Sequence, residues 1–345
     1  PYGGIGNEEL SLQMLYLTGY HGIYQYYLQT EDTTTIKTIY PGIKKYHALW
    51  QMDENGLVKQ RKGDWYWTDW GSNIDERLLD NMLYADALKS DILIADILGQ
   101  KEESIFYQGK YNKLKDAINR YYWTESGYRS AGFKGEVDDR GNAIAILAGV
   151  ADSSKFDILH QVFKNSLFAS TYMERFVLEA LFQMGKSQTA LNRMKLRYKE
   201  MVDAPYSTVW EQWKFVNPFV TTATYNHGWT GSPLHLLPQY VAGIQTVAPR
   251  YTKYLIKPAL TELDKIYSTV PTVQGLIEVK MSFEGWQYLM EVYSPPATVA
   301  MVGVPKKYLK HILKINGSIV KNDEGRKNRP VKNASFSGED NEYLY

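Results

Sequence analysis

The chain has no cysteine, no long apolar run and almost no net charge, and each absence excludes a class of protein. Without Cys there is no disulfide, no thiolate metal site and no cysteine nucleophile. No run is long and apolar enough to predict a helix across a membrane. Lys and Arg together number 39, and Asp and Glu number 38. Since these charges form no broad basic stripe, we expect no nucleic-acid partner.

The sequence also lacks a pattern typical of metal binding. Most histidines stand alone, and no spacing of His, Asp or Glu suggests a zinc site. The isolated histidines are His21, His47, His160, His235 and His311. We therefore predict no metal site and no cofactor.

Aromatic residues, in contrast, are abundant. They make up 14% of the chain, with 28 Tyr and 9 Trp. Because flat aromatic faces stack on the C–H faces of sugars, this composition fits a protein that handles carbohydrate. A large aromatic core would explain it equally well.

In the longer, N-terminal part of the chain, the sequence pattern predicts helices. Apolar residues recur with helical spacing, and the predicted helices cover residues 10–28, 36–52, 74–98, 101–122, 142–151, 153–164, 171–184, 187–201 and 233–244. Asp138 and Asp139 stand where an N-cap would precede residues 142–151. About nine helices joined by alternating short and long loops are typical of stacked helical hairpins.

The pattern changes at Pro249. Segments that alternate in polarity or are rich in β-branched residues follow at 276–282, 288–294 and 298–304. Asn316-Gly317 forms a hairpin-type turn between two further strands, and residues 343–345 predict a last strand. We therefore predict a helical domain over residues 1–248 and a small antiparallel β-sandwich over residues 249–345.

Two loops between predicted helices, here called the Trp-acid loops, combine carboxylates with tryptophans. The first, residues 63–71, reads GDWYWTDWG. The second, residues 205–233, places Glu211 between Trp210 and Trp213. A carboxylate beside aromatic faces suits glycoside hydrolysis, because it can activate a water while the rings stack on a sugar. Both loops can converge on one mouth of a helical barrel, or their aromatics can simply pack on neighbouring residues.

Several motifs resemble those of glycoside hydrolase family 78, the α-L-rhamnosidases. The two main ones are residues 208–213, TVWEQW, and residues 225–231, YNHGWTG. In that family a T-x-W-E-x-W segment carries the general base, and a following N-H motif supplies a substrate-contacting histidine. Residues 138–143, 172–181 and 270–275 agree in order and spacing, so the resemblance spans nearly the whole chain.

The resemblance implies a mainly α fold, with an (α/α)6 barrel of six helical hairpins followed by a C-terminal β-sandwich. A full barrel has twelve helices, so we expect this barrel to be incomplete at its N-terminus. The family also implies an inverting mechanism, in which an acid protonates the glycosidic oxygen and a carboxylate activates water on the opposite face of the sugar. Glu211 matches that carboxylate, the general base.

The remaining site residues would line a pocket for the deoxysugar. Aromatic walls suit the methyl group at its C5, and Asp and His suit its hydroxyls. The predicted substrate-binding residues are Asp64, Trp65, Asp69, Trp70, Trp210, His227 and Trp229.

The general acid departs from the family pattern. The family has a Glu in a segment like R-D/E-E-R/K ahead of an aromatic-x-Gly-Asp stretch, and residues 2–5, YGGI, resemble that stretch with Ile in place of Asp. The acid is therefore expected just upstream of Pro1. Glu8 and Glu9 are near enough to substitute, although acids there also favour the positive end of a helix dipole.

The resemblance implies an exo-acting glycosidase whose substrate is a rhamnose-containing oligosaccharide, polysaccharide or glycoside. Two alternatives stay open: a carbohydrate-binding relative that lacks the acid, and a six-hairpin glycosidase or lyase acting on another sugar. A lyase needs a group that neutralises a uronate carboxylate, and the only Lys or Arg of the two loops is Lys214. If the source is bacterial, a periplasmic or extracellular location is favoured.

Overall fold

Helices fill the N-terminal part of the chain, and strands fill the C-terminal part. The computed structural model describes residues 9–61, 63–214, 223–284, 287–309, 313–322, 325–326, 331 and 333–345. The chain divides into two units, Pro1–Leu234 and His235–Tyr345. The predicted order, a helical domain followed by a β-domain, is confirmed. The predicted limit after residue 248 stays a prediction.

Every predicted helix has a counterpart. Within the described residues the α-helices are α1 (Ser11–Thr18), α2 (Gln25–Thr30), α3 (Thr33–Ala48), α4 (Glu76–Ile97), α5 (Lys101–Tyr121), α6 (Asp139–Leu147), α7 (Phe156–Asn165), α8 (Glu174–Gln183), α9 (Ser187–Arg197), α10 (Lys199–Asp203) and α11 (Ser232–Leu236). A short hairpin of β1 (Trp123–Thr124) and β2 (Gly127–Tyr128) lies between α5 and α6. No helix in this part of the chain is long and apolar enough to cross a membrane.

Aspartates begin two largely buried helices, α4 and α6. The side chain of Asp75 accepts a hydrogen bond from the backbone N–H of Leu78 at 3.1 Å, at the start of α4. Asp138 does the same for Arg140 at 2.7 Å, at the start of α6. Each cap satisfies a backbone donor that has no partner within its helix, which stabilises the helix by about 1 kcal/mol. The predicted cap is therefore Asp138, while Asp139 is the first residue of α6.

The core of the helical unit forms around α4 and α6. All residues of α6 are buried, as is typical of a helix surrounded by others. Helix α4 packs against α1, α5 and α6, and α6 packs against α8. The first Trp-acid loop leads directly into α4, so a rigid and buried element fixes one of its ends.

The first predicted helix, residues 10–28, is interrupted at Gly19. A side chain at Gly19 would lie 2.8 Å from the Asp86 carboxylate and 2.8 Å from the Leu15 carbonyl, so only glycine fits. The Asp86 carboxylate also accepts a hydrogen bond from the backbone N–H of Tyr20 at 3.2 Å. A π-helical turn, Tyr20–Tyr24, follows before α2 begins.

The last predicted helix, residues 233–244, was too long at its C-terminal end. After α11 the chain makes a π-helical turn, Leu237–Val241, and then enters a strand, Ile244–Thr246. Ile244 of that strand pairs with Ile256 of the neighbouring strand, Lys253–Ile256. An apolar residue near the end of a helical pattern fits a strand core equally well, which explains the error.

The strands of the second unit are β3 (Ile244–Thr246), β4 (Lys253–Ile256), β5 (Lys265–Thr272), β6 (Gly275–Glu284), β7 (Gln287–Tyr293), β8 (Val299–Val302), β9 (Val304–Pro305), β10 (Leu313–Ile315), β11 (Ser318–Asn322), β12 (Gly325–Arg326) and β13 (Tyr343–Leu344). Among its described residues the second unit has three three-stranded sheets, β3-β4-β8, β5-β6-β7 and β10-β11-β12, and the first two share one core. The sheet β5-β6-β7 is antiparallel, whereas in β3-β4-β8 the pair β4–β8 is parallel. Tyr254 and Ile256 of β4 bury their side chains with Ile277 and Val279 of β6, as expected for a sandwich.

The predicted hairpin turn at Asn316-Gly317 is confirmed. Ile315 pairs with Ser318, so the turn has two central residues. Their φ angles are 48° and 77°, the left-handed values that a type I′ turn requires and that Asn and Gly tolerate best.

Candidate active site

The two parts of the second Trp-acid loop pair with each other through backbone hydrogen bonds. The N–H of Glu211 donates to the carbonyl of Thr224 at 3.0 Å, and the N–H of His227 donates to the carbonyl of Val209 at 2.9 Å. The intervening residues 215–222 lie outside the described part of the chain. This pairing brings His227 beside Glu211 although the two are well separated in sequence.

The Glu211 carboxylate lies at the surface of this paired segment. Its Oε2 accepts hydrogen bonds from the backbone N–H of Thr224 at 2.8 Å and from the Thr224 hydroxyl at 3.3 Å. The Nδ1 of His227 lies 3.7 Å from the same oxygen. The Glu211 side chain is 16% exposed, so it is partly accessible to solvent.

The backbone carbonyl of Glu211 is also fixed. It accepts a hydrogen bond from the Thr171 hydroxyl at 2.5 Å and another from the indole N–H of Trp229 at 3.2 Å. The Trp229 ring in turn contacts the imidazole of His227, with centroids 4.3 Å apart. Both predicted residues, His227 and Trp229, therefore lie beside the predicted base.

An aromatic cluster, defined as Trp67, Trp70, Tyr172 and Trp229, joins the two Trp-acid loops. Trp67 stacks on Trp229, with ring centroids 6.0 Å apart and planes 4° from parallel. Tyr172 contacts both of these rings at 5.6 Å. Trp70 meets the edge of Trp67 at 5.5 Å and is 37% exposed. The structure thus brings the two loops together.

Asp69 is buried and binds protein groups. Its Oδ2 accepts hydrogen bonds from the Arg140 guanidinium at 3.1 Å and from the backbone N–H of Ser170 at 3.1 Å, and its Oδ1 accepts from the Ser170 hydroxyl. Burial raises the pKa of the Asp69 carboxyl, against the lowering effects of Ser170 and Arg140. These contacts suit an anchor for the loop better than a direct sugar ligand.

Asp64 and Trp65 lie next to the segment that precedes α1. The exposed Asp64 carboxylate accepts a hydrogen bond from the backbone N–H of Glu9 at 2.8 Å. The backbone N–H of Trp65 donates to the carbonyl of Glu9 at 3.0 Å. Neither residue belongs to the contacts around Glu211 described above.

Trp210, although it is adjacent to Glu211, is buried. Its ring is only 7% exposed and meets the Tyr225 ring edge-on at 5.3 Å. Its backbone carbonyl accepts a hydrogen bond from the Thr230 hydroxyl at 2.5 Å. Trp210 therefore supports the paired segment from inside.

Glu9, one of the two acids considered as a substitute general acid, forms a bidentate ion pair with Arg61. Hydrogen bonding to Arg61 lowers the pKa of the Glu9 carboxyl. A general acid must hold its proton near the working pH, so these contacts favour an anion instead. Glu8 and residues 2–5 lie outside the described residues.

Three consecutive residues that were not among the predicted site residues contact both Trp-acid loops. Ser170 binds Asp69, Thr171 binds the Glu211 carbonyl, and Tyr172 belongs to the aromatic cluster. Tyr172 begins one of the family-like motifs, which was the available signal. Ser170 and Thr171 have common small side chains that carry no signal of their own.

Metal ligation receives no support from the described residues. Within them, no group of three or more His, Asp or Glu side chains could hold a metal ion.

The sequence matches two known protein families. Residues 19–241 match the family described as the bacterial alpha-L-rhamnosidase 6 hairpin glycosidase domain, and this match covers more than half of the chain. Residues 243–314 match the bacterial alpha-L-rhamnosidase C-terminal domain. Among curated protein sequences, none matches the chain.

Solved structures show the same fold at low sequence identity. The GH78 family rhamnosidase of Bacillus sp. GL1 is 21% identical, with a TM-score of 0.69, and the match covers 81% of this chain and 32% of that one. The alpha-L-rhamnosidase from Dictyoglumus thermophilum is 17% identical, with a TM-score of 0.78 and coverages of 93% and 37%. The Streptomyces avermitilis enzyme, complexed with L-rhamnose, is 17% identical, with a TM-score of 0.69 and coverages of 81% and 28%. The chain thus spans about a third of the length of these proteins.

Proposed function

Since this chain belongs to the bacterial α-L-rhamnosidase family, we propose that it acts in an inverting exo-glycosidase that hydrolyses terminal α-L-rhamnosyl residues, with Glu211 as the general base. One observation carries the assignment of the base. Glu211 is a solvent-accessible carboxylate held on one oxygen by Thr224 and flanked by His227 and Trp229. The L-rhamnose complex of the Streptomyces avermitilis relative supports the choice of sugar.

In the proposed reaction, Glu211 takes a proton from a water molecule while the water oxygen forms a bond to C1 of the rhamnosyl residue. The bond from C1 to the glycosidic oxygen breaks on the opposite face, and a carboxylic acid gives its proton to the leaving oxygen. In inverting enzymes the two carboxyl groups stand roughly 6.5 to 9.5 Å apart, which leaves room for the water. In the family that the chain resembles, a glutamic acid has this role.

We propose that the sugar lies against His227 and Trp229, because both lie beside Glu211 and both are partly exposed. Trp70 offers a further exposed ring of the aromatic cluster for the apolar C5 methyl group. Asp69 and Trp210 are buried, so we assign them to holding the loops in place.

The first test is Glu211→Gln in the protein expressed with its native N-terminal sequence. Gln keeps the shape of the side chain but cannot accept the proton, so kcat on an aryl α-L-rhamnoside should fall roughly 10²- to 10⁴-fold. The matched control is Glu125→Gln, at an exposed position between β1 and β2, which should leave kcat unchanged. Full activity of Glu211→Gln would remove Glu211 from the mechanism.

A second test uses azide with Glu211→Ala. Azide needs no base, so it should attack C1 as the glycosidic C–O bond breaks and form a rhamnosyl azide of inverted configuration. An azide product of retained configuration would contradict inversion.

If the unmutated protein binds L-rhamnose but hydrolyses no rhamnoside, the carbohydrate-binding alternative is correct. The lyase alternative lacks support, since Lys214 pairs with Glu200 at 3.3 Å.

A further inference from the structure

One oxygen of the Glu211 carboxylate is bound twice by a single residue. The backbone N–H of Thr224 donates to Oε2 at 2.8 Å, and the Thr224 hydroxyl lies 3.3 Å from the same atom. No hydrogen bond from a described residue reaches Oε1. A carboxylate whose two oxygens differ in this way has one occupied acceptor and one that can receive a proton.

The Thr224 hydroxyl has a choice of neighbours. Its oxygen lies 3.3 Å from Glu211 Oε2, 3.3 Å from the Asn226 carbonyl and 3.3 Å from Nδ1 of His227. A hydroxyl has one proton to donate, and a charged carboxylate is a stronger acceptor than a neutral carbonyl. We therefore assign the hydroxyl proton to a hydrogen bond with Oε2 of Glu211. The His227 ring then lies beside the hydroxyl oxygen.

The backbone reinforces the same arrangement. The Glu211 N–H donates to the Thr224 carbonyl at 3.0 Å, so the two residues exchange hydrogen bonds in both directions. Thr224 is therefore fixed relative to the Glu211 backbone as well as to its side chain. These hydrogen bonds hold the Glu211 side chain in one rotamer, so it need not be ordered during the reaction.

We propose that Thr224 is the positioning residue of the general base: it holds Oε2 of Glu211 so that Oε1 takes the proton from the attacking water. This inference rests on the proposed function. Thr224 acts through Glu211 and is not itself in contact with the reacting atoms. Its effect should therefore appear in kcat and should disappear when the carboxylate is removed.

The main test is Thr224→Val in the full-length protein, with Thr224→Ser beside it. Val keeps the shape and the backbone N–H but loses the hydroxyl, so kcat should fall about 10- to 100-fold while KM changes less than about 3-fold. Ser restores the hydroxyl and should recover most of kcat. Thr38→Val is the matched control, because the exposed Thr38 hydroxyl on α3 contacts only the Thr34 carbonyl among described partners.

A double substitution separates positioning from a direct role. In Glu211→Ala supplied with azide, there is no carboxylate to orient, so adding Thr224→Val should change the azide-dependent rate less than about twofold. If adding Thr224→Val to Glu211→Ala lowers the azide-dependent rate by as much as Thr224→Val alone lowers kcat, the proposal is wrong. It is also wrong if Thr224→Val alone keeps full kcat. If Glu211→Gln itself keeps full activity, the proposed function fails instead, and the two failures are distinguishable.

Discussion

Trp67 and Trp229 lie face to face, with centroids 6.0 Å apart and planes within 4° of parallel. They come from different Trp-acid loops, and their separation indicates an offset stack. Trp229 also donates its indole N–H to the carbonyl of Glu211 at 3.2 Å. The first loop is thereby connected to the backbone of the proposed base through a single pair of rings.

Trp67→Ala should therefore impair catalysis even though Trp67 has no hydrogen bond to Glu211. Without its stacking partner Trp229 can tilt, and kcat/KM on an aryl α-L-rhamnoside should fall about tenfold or more. Steady-state kinetics of the full-length protein measure this. Phe106→Ala, on the exposed side of α5, serves as the control and should have no effect. An unchanged kcat/KM for Trp67→Ala would show that the stack of Trp67 on Trp229 does not contribute to catalysis.

Asp69→Ala should lower the stability of the fold, because it leaves the buried Arg140 guanidinium without one of its partners. Breaking a buried ion pair costs about 3 to 5 kcal/mol of unfolding free energy. Asp64→Ala, at an exposed carboxylate, should cost less than about 1 kcal/mol. Denaturant unfolding compares the two variants. If Asp69→Ala is as stable as the unmutated protein but binds L-rhamnose weakly, Asp69 is a sugar ligand after all.

Asp80 should make stability depend on pH. Burial raises the pKa of its carboxyl to about 7, against the lowering effect of the Tyr66 hydroxyl, which donates to Oδ1 at 2.7 Å. The folded chain then holds a proton that the unfolded chain loses near pH 4. This contribution to stability is complete below about pH 4 and is lost as the pH rises through about 7.

Asp80→Asn removes that pH dependence while keeping an acceptor for Tyr66. The variant should be more stable than the unmutated protein by about 1 to 3 kcal/mol at pH 8, and the advantage should shrink toward pH 5. Urea unfolding at both pH values gives the difference. Asp116→Asn, at an exposed position of α5, should show no such trend. A constant difference between pH 5 and 8 would contradict the expectation for Asp80.

Local patterns allowed much of the fold to be predicted from the sequence. The cap at Asp138 and the turn at Asn316-Gly317 depend on interactions within a few residues, so they could be predicted without knowing the fold. The full reason for glycine at position 19 could not be predicted, because one of the atoms that a side chain there would meet is the Asp86 carboxylate on another helix. The strand that begins at Ile244 could not be predicted either, because Ile244 pairs with Ile256 on a different strand.

For the site, the sequence by itself determined which loops carry carboxylates and aromatic rings, and the family resemblance singled out Glu211. Only the tertiary structure decided what each residue contacts. It buried Asp69 against Arg140 and placed Thr224 on the Glu211 carboxylate. It also placed Thr171 on the Glu211 carbonyl. Small hydroxyl residues are common along any chain, and they acquire such a role only when distant segments pack together and leave a polar atom in need of a partner.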